Sequence, residues 1–223
     1  IQTLRRWAKS GKLTPDFVSP GGHRRYKKEA IEKLMTNQVS LARDWVTAKQ
    51  APLLPSEYYC ENSAVFQTRL SRMQIELSRL PEFSELASLL GAITTGEIGN
   101  NSFDHNLGNW PDSPGVFFGY DLNKRQIVLA DRGVGVLKTL SRVRPDLKNS
   151  VDALRVAFTE VISGRAPEQR GNGLKLVYRT VKKYPISLQF QSGDAIAKIS
   201  QGKDLEIAGQ TNSINGTLAI IEY

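Results

Sequence analysis

Cysteine is nearly absent from this 223-residue chain, in which Cys60 stands alone. One thiol makes no internal disulfide and no cysteine-based zinc site, so disulfide scaffolds and zinc fingers are excluded and a reducing compartment is expected. Long apolar runs are missing too. Pieces such as 127–130 and 218–221 fall far short of the roughly 18–20 residues that a membrane-crossing helix needs, and no apolar signal core follows Ile1. The sequence therefore reads as that of a cytoplasmic protein with no membrane partner. Histidines number two, so any histidine chemistry has to use His23 or His105. Core-forming residues are not lacking: 40% hydrophobic and 23% charged residues exclude disorder as the main state. The length suits one large domain, or one domain with a small appendage.

The net charge of +8 is unevenly placed, with nine Lys and Arg against three acids in residues 1–34. An excess confined to one end is the footprint of a polyanion-binding module. The segment is also patterned. Thr3 can cap a helix in which Leu4, Trp7 and Ala8 recur along one apolar face, leaving Arg5, Arg6 and Lys9 away from it. Gly11 ends that helix, a loop with two prolines and Gly21-Gly22 leads into HRRY, and Ala30, Ile31 and Leu34 begin a second helical pattern. TLRRWAKSGKL followed by GGHRRY resembles the MerR-like winged helix-turn-helix over residues 1–36, without that motif's first helix. The resemblance implies a recognition helix in the major groove of double-stranded DNA, with Arg5, Arg6 and Lys9 reaching bases or phosphates. It implies a wing of Gly22, His23, Arg24, Arg25 and Tyr26 on the phosphate backbone, and a homodimer on a symmetric site.

Residues 37–80 read as a helical connector interrupted by Pro52 and Pro55. Phe66, Leu70, Met73, Leu77 and Leu80 are spaced by 4, 3, 4 and 3 residues, a heptad-like stripe. Such a stripe either packs on its own domain or pairs with a second copy.

Beyond Pro81, Leu86, Leu89, Leu90 and Ile93 define an amphipathic helix that runs into EIGNNSFDH, where Glu97, Asn101 and His105 share one face. An amide oxygen is a hard ligand for Mg²⁺, and a carboxylate one turn away can take a proton from water. RQIVLADRGVGV reads as a buried strand, paired with VFFGYDL across Asn123-Lys124, that delivers Asp131 into a turn containing Gly133 and Gly135. Glycines there allow close backbone approach, and the carboxylate can accept from an exocyclic amine. In RGNGLKLVYRTVKKY, Gly171 and Gly173 precede a helix built on Leu174, Val177, Tyr178 and Val181, whose first amides can hold phosphate. NGTLAIIEY sets Thr217 at the head of a last strand.

In this order the four segments resemble the boxes of the GHKL ATPase superfamily over residues 81–223, with EIGNNSFDH as the N box, DRGVG and GNGL as the glycine boxes and GT as the last. The resemblance implies an α+β organisation: a Bergerat α/β sandwich whose mixed, mainly antiparallel sheet is covered by helices on one face. The expected strands are 116–122, 126–131, 186–191, 195–200 and 217–222. It implies ATP and Mg²⁺ as ligands. Asp131 would accept from the adenine amino group, with Gly133 and Gly135 shaping that pocket and Thr217 supporting it. Asn101 would bind Mg²⁺, His105 would stand in the same box, and Glu97 would be the catalytic base. Gly171, Gly173 and Leu174 would offer amides to the phosphates, and residues 137–170 would form a mobile lid.

A sensor histidine kinase needs an acceptor histidine on a dimerisation helix, whereas His23 and His105 fall in the wing and the N box. The N box looks most like that of the anti-sigma-factor serine kinases. The expectation is an ATP-binding bacterial transcription regulator, associated with the nucleoid, in which Mg-ATP and lid closure switch binding to DNA or to a sigma-like or anti-sigma-antagonist-like protein. The alternative is a protein serine kinase or slow ATPase tethered to DNA, with Glu97 activating a hydroxyl or water.

Overall fold

Pleated strands facing a layer of helices account for most of this chain. The computed structural model describes residues 4, 8, 13–28, 31, 37–161 and 173–223, the side chains of 94–96 excepted. The chain divides into two units, residues 1–41 and 42–223.

In the first unit, Leu4 and Ala8 are helical, and two short strands, β1 (Phe17–Val18) and β2 (Arg24–Arg25), pair antiparallel with Phe17 opposite Arg25. The turn between them is closed by Gly22 N donating to the Ser19 carbonyl at 2.8 Å, and by His23 N donating to Ser19 Oγ at 3.1 Å. Asp16 Oδ2 accepts from Lys27 N at 2.8 Å, which fixes the hairpin's exit. Helix α1 (Gln38–Thr47) begins in this unit and ends in the next.

The second unit carries a five-stranded sheet in the order β3-β4-β5-β7-β6, built from β3 (Tyr59–Cys60), β4 (Val116–Asp121), β5 (Gln126–Asp131), β6 (Ser187–Ser200) and β7 (Glu206–Glu222). Every pairing is antiparallel, which corrects the expected mixed sheet. Two hairpins supply most of it, so no parallel crossover is needed. In the β4–β5 hairpin, Asp121 Oδ1 accepts from the backbone N–H of Asn123 and of Lys124, each at 3.0 Å, and reverses the chain. The segments expected as separate strands at 186–191 and 195–200 are one strand, with its register shifted between Ser192 and Ala195. Gly193 takes φ +57°, so the strand kinks there without ending.

Among the described residues the unit also holds helices α2 (Ser63–Ser78), α3 (Ser84–Ala92), α4 (Asn100–Asn106), α5 (Gly135–Leu140), α6 (Ser150–Thr159) and α7 (Gly173–Lys183). Asn62 caps α2 by accepting from Val65 N at 3.0 Å. The stripe Phe66, Leu70, Met73 and Leu77 is fully buried in the unit's own core, with Phe66 edge-on to Phe118 at 5.3 Å. Alternate strand residues join it: Val116 and Phe118, Ile127 and Leu129, Leu188 and Phe190, Ala219 and Ile221. The opposite row is buried too, Tyr58 stacking on Phe117 at 5.1 Å beside buried Val128, Ala130 and Leu218. Among the described residues no helix is long and apolar enough to cross a membrane.

Two expectations need correction. The segment 137–170, expected as a lid without buried periodicity, contains most of α5 and all of α6, and buries Leu140, Leu147, Ala153, Leu154, Val156 and Phe158. Ala153, Leu154, Ala157 and Phe158 recur at helical spacing, and Asn149 caps α6 by accepting from Asp152 N at 2.8 Å. The helix read straight through from Leu86 to His105 is interrupted as well. A π-helical turn, Ile93–Gly99, separates α3 from α4. Two threonines and two glycines fall in that turn, residues that gain least from α-winding.

Candidate functional site

The core-facing row of β5 ends in a charge. Asp131 follows Ile127 and Leu129 on the same face, yet is 1% exposed. A bare carboxylate in such surroundings would be prohibitive, and four donors meet it. Ser102 and Thr217 hydroxyls donate to Oδ2 at 2.8 and 2.5 Å, Gly133 N–H donates to Oδ1 at 2.8 Å, and Asn106 Nδ2 stands 3.5 Å from Oδ1. Burial pushes the carboxyl above its ordinary value, and the bonds from Thr217, Gly133 and Ser102 pull it back in part.

Three elements hold these donors. Thr217 lies opposite Asp131 in the β5–β7 ladder. Ser102 and Asn106 stand one turn apart on α4, where Asn106 Nδ2 donates to the Ser102 carbonyl at 2.7 Å and its Oδ1 accepts from Val134 N at 2.8 Å. That amide fills the space beside Gly133, where a Cβ would come within 2.2 Å of Asn106 Oδ1. Gly216 has φ +67°, and a Cβ there would lie 2.5 Å from Asp131 Oδ1. Both glycines are therefore required for Asp131 to keep its partners. Ser192 Oγ accepts from Val136 N and donates to the Gly216 carbonyl, each at 3.0 Å, joining the turn after β5 to β7.

Asp131 lines a cleft whose space, counted together with its open mouth, is about 770 Å³. Glu97, Asn101, His105, Gly135, Gly173, Leu174 and Thr217 all line it. Gly133 does not, lying beneath Asn106. Glu97 comes from the π turn, Asn101 and His105 from α4, and Gly173 and Leu174 from the start of α7. A Cβ on Gly173 would fall 2.2 Å from Glu97 Oε2, so this glycine lets the first turn of α7 approach the carboxylate. Burial raises the Glu97 carboxyl above its ordinary value. Asn101 spends its amide nitrogen on the Glu97 carbonyl one turn back, so Oδ1 is the atom with which it could hold a metal ion. Gly171 lies outside the described residues. The far wall is apolar: Val136, Leu140, Ala157 and Phe190.

In the first unit, Gly22, His23, Arg24 and Arg25 are exposed on the hairpin and Tyr26 is half-buried. Arg5, Arg6 and Lys9 lie outside the described residues. No group of three or more His, Cys, Asp or Glu among the described residues could by itself hold a metal ion.

Sequence reasoning missed Ser102, Asn106 and Ser192. The first two were detectable, because polar residues at i and i+4 beside Asn101 and His105 form a second polar row on the same short helix. Ser192 carried no signal, since only the folded hairpin brings it to Val136. Compared with protein-family models and with curated proteins, the chain matches none.

Proposed function

We propose that the second unit is an adenine-nucleotide-binding domain of the GHKL type and that the chain is a DNA-binding regulator switched by Mg-ATP. The observation that carries this reading is the convergence, in one cleft, of a buried carboxylate with Glu97, Asn101 and the glycine-opened start of α7. Asp131 accepts the exocyclic amine of adenine, and the apolar wall of Val136, Leu140 and Phe190 takes the ring. The phosphates lie toward the start of α7, since the first amides of a helix have no partner within it and suit an anion. Mg²⁺ fits these residues, because it favours one or two protein oxygens together with phosphate and water oxygens, and Asn101 Oδ1 supplies one. Bound there, the ion neutralises phosphate charge. The exposed hairpin with Arg24 and Arg25 supports the DNA-binding half of the proposal by resembling a wing.

A titration with ATP, with and without Mg²⁺, tests the reading. Mg-dependent binding supports it, and no binding of any adenine nucleotide refutes it. The raised Glu97 carboxyl beside Gly173 favours a second reading, a DNA-tethered serine kinase or slow ATPase in which Glu97 takes the proton from a hydroxyl or water. The Glu97→Gln variant separates the two: retained ATP binding and regulation without turnover supports the switch, and loss of regulation together with turnover supports the enzyme.

A further inference from the structure

Three side chains fasten the end of α1 to the part of the sheet that carries the cleft, and each is the chain neighbour of a residue that shapes the cleft. Arg132 follows Asp131. Its side chain is 1% exposed, and Nε donates to both Asp112 oxygens at 3.1 and 2.9 Å. Nη1 donates to the Trp45 carbonyl, and the guanidinium stands 6.0 Å from the centre of the Trp45 ring. Gln191 precedes Ser192 and accepts from Arg43 Nη1 at 3.2 Å, while its amide donates to the Asn212 carbonyl at 3.1 Å. Asn215 precedes Gly216 and donates to the Ala48 carbonyl at 3.3 Å.

The strand pleat explains the arrangement, since neighbours in a strand point to opposite faces. Asp131, Ser192 and Thr217 continue the core-facing rows, so Arg132 and Gln191 emerge on the other side, where Ala42, Trp45 and Val46 of α1 are buried. A single peptide unit separates each fastening residue from its cleft-shaping neighbour. Displacement of α1 therefore shifts the peptides that present Asp131, Ser192 and Gly216. A guanidinium held this far from water does not release its carboxylate gradually, because an unpaired buried charge is far costlier than an exposed one.

We propose that Arg132 is a positioning residue that couples docking of α1 to occupancy of the cleft: bound nucleotide holds α1 in place, and docked α1 keeps the cleft in its binding geometry. The proposal rests on the nucleotide reading above. Linkage makes the effect reciprocal, so both directions are measurable.

The test uses Mg-ATP, the full chain, and the variants Arg43→Ala, Asp112→Asn and Asp112→Glu, none of which alters a cleft-lining residue. In the wild type, saturating Mg-ATP slows amide exchange at residues 43–48. Arg43→Ala and Asp112→Asn weaken Mg-ATP by about fivefold or more, the lower end of usual coupling between sites, and Asp112→Glu restores most of the affinity. Arg43 is exposed, so its variant folds and keeps the test decisive even if Asp112→Asn does not. Exchange at 43–48 that ignores the nucleotide, or wild-type affinity in Arg43→Ala, overturns the coupling and leaves the nucleotide reading standing. A wild type that binds no adenine nucleotide overturns both.

Discussion

Replacing Asp131 by asparagine changes one atom in a site where every donor is identified. If the new amide nitrogen took the Oδ1 position it would face the Gly133 N–H, which cannot turn away. At the Oδ2 position it meets two hydroxyls, and these can rotate to accept; Ser102 has the Ile98 carbonyl at 3.3 Å as an alternative acceptor. The second orientation therefore wins. The charge-assisted bonds from Ser102, Thr217 and Gly133 all become neutral ones, a loss of about 1 kcal/mol each, offset in large part because the buried charge is gone. Melting then moves by only a few degrees, at about 2–4 °C per kcal/mol for a domain of this size. The nucleotide fares worse. An adenine amine that met an acceptor now meets an N–H, and losing a hydrogen bond to a charged group costs about 2–3 kcal/mol, or about 30- to 150-fold in affinity. Inosine triphosphate, whose 6-position is a carbonyl, gains from the same change. Calorimetric titration of both nucleotides into both proteins measures this directly. An Asp131→Asn protein that melts near the wild type and binds both nucleotides unchanged would refute the assignment of Asp131 as the base reader.

Burial raises the Asp131 carboxyl, so its contribution to stability is complete at acid pH and is lost as pH climbs from the ordinary carboxylate value through the raised one. Melting curves should accordingly show Asp131→Asn gaining on the wild type across that interval, and a gap that does not vary with pH would count against a raised value. Gly133→Ala drives a methyl into the Asn106 amide and should cost about 1–3 kcal/mol by overpacking, read as a lower denaturant midpoint. Asp112→Ala leaves the Arg132 guanidinium buried without its carboxylate. The loss should be about 2 kcal/mol, below the ~3–5 of a fully buried pair because the Asp112 side chain is 36% exposed. Arg24→Ala with Arg25→Ala should weaken duplex binding and flatten its salt dependence by about one to two phosphate contacts, and an unchanged slope would argue against a wing.

Much of the second unit was legible because its signals are local. Alternation marked 126–131 to the residue, and the turn at Asn123-Lys124 announced its hairpin. The stripe from Phe66 to Leu77 declared a buried face but not its partner, which is the sheet of its own unit. What escaped depends on long-range geometry. The outer half of β7, from Glu206 to Ser213, is exposed except at Ile207, and its residues 206–209 pair with β6, so no alternation marked it. Gly193 looked like the end of a strand and is a kink inside one. In the cleft, Asp131, Glu97 and Asn101 could be named from their boxes. The residues that hold Asp131 in place, Ser102 and Asn106, were overlooked because polar residues beside a polar row looked like solvent contacts.

The π turn at Ile93–Gly99 has a consequence for how this chain can vary. It joins two helices with separate obligations, α3 burying Ala87 and Leu90 while α4 directs Ser102 and Asn106 at Asp131. Each residue of an α-helix turns the next by about 100° and advances it about 1.5 Å, so losing one residue from the turn would restore regular winding at the cost of swinging one face out of place. The interval between Leu90 and Ser102 is thus a fixed count. Within it side chains can be exchanged, whereas a one-residue insertion or deletion would erase the cleft while leaving both helices intact.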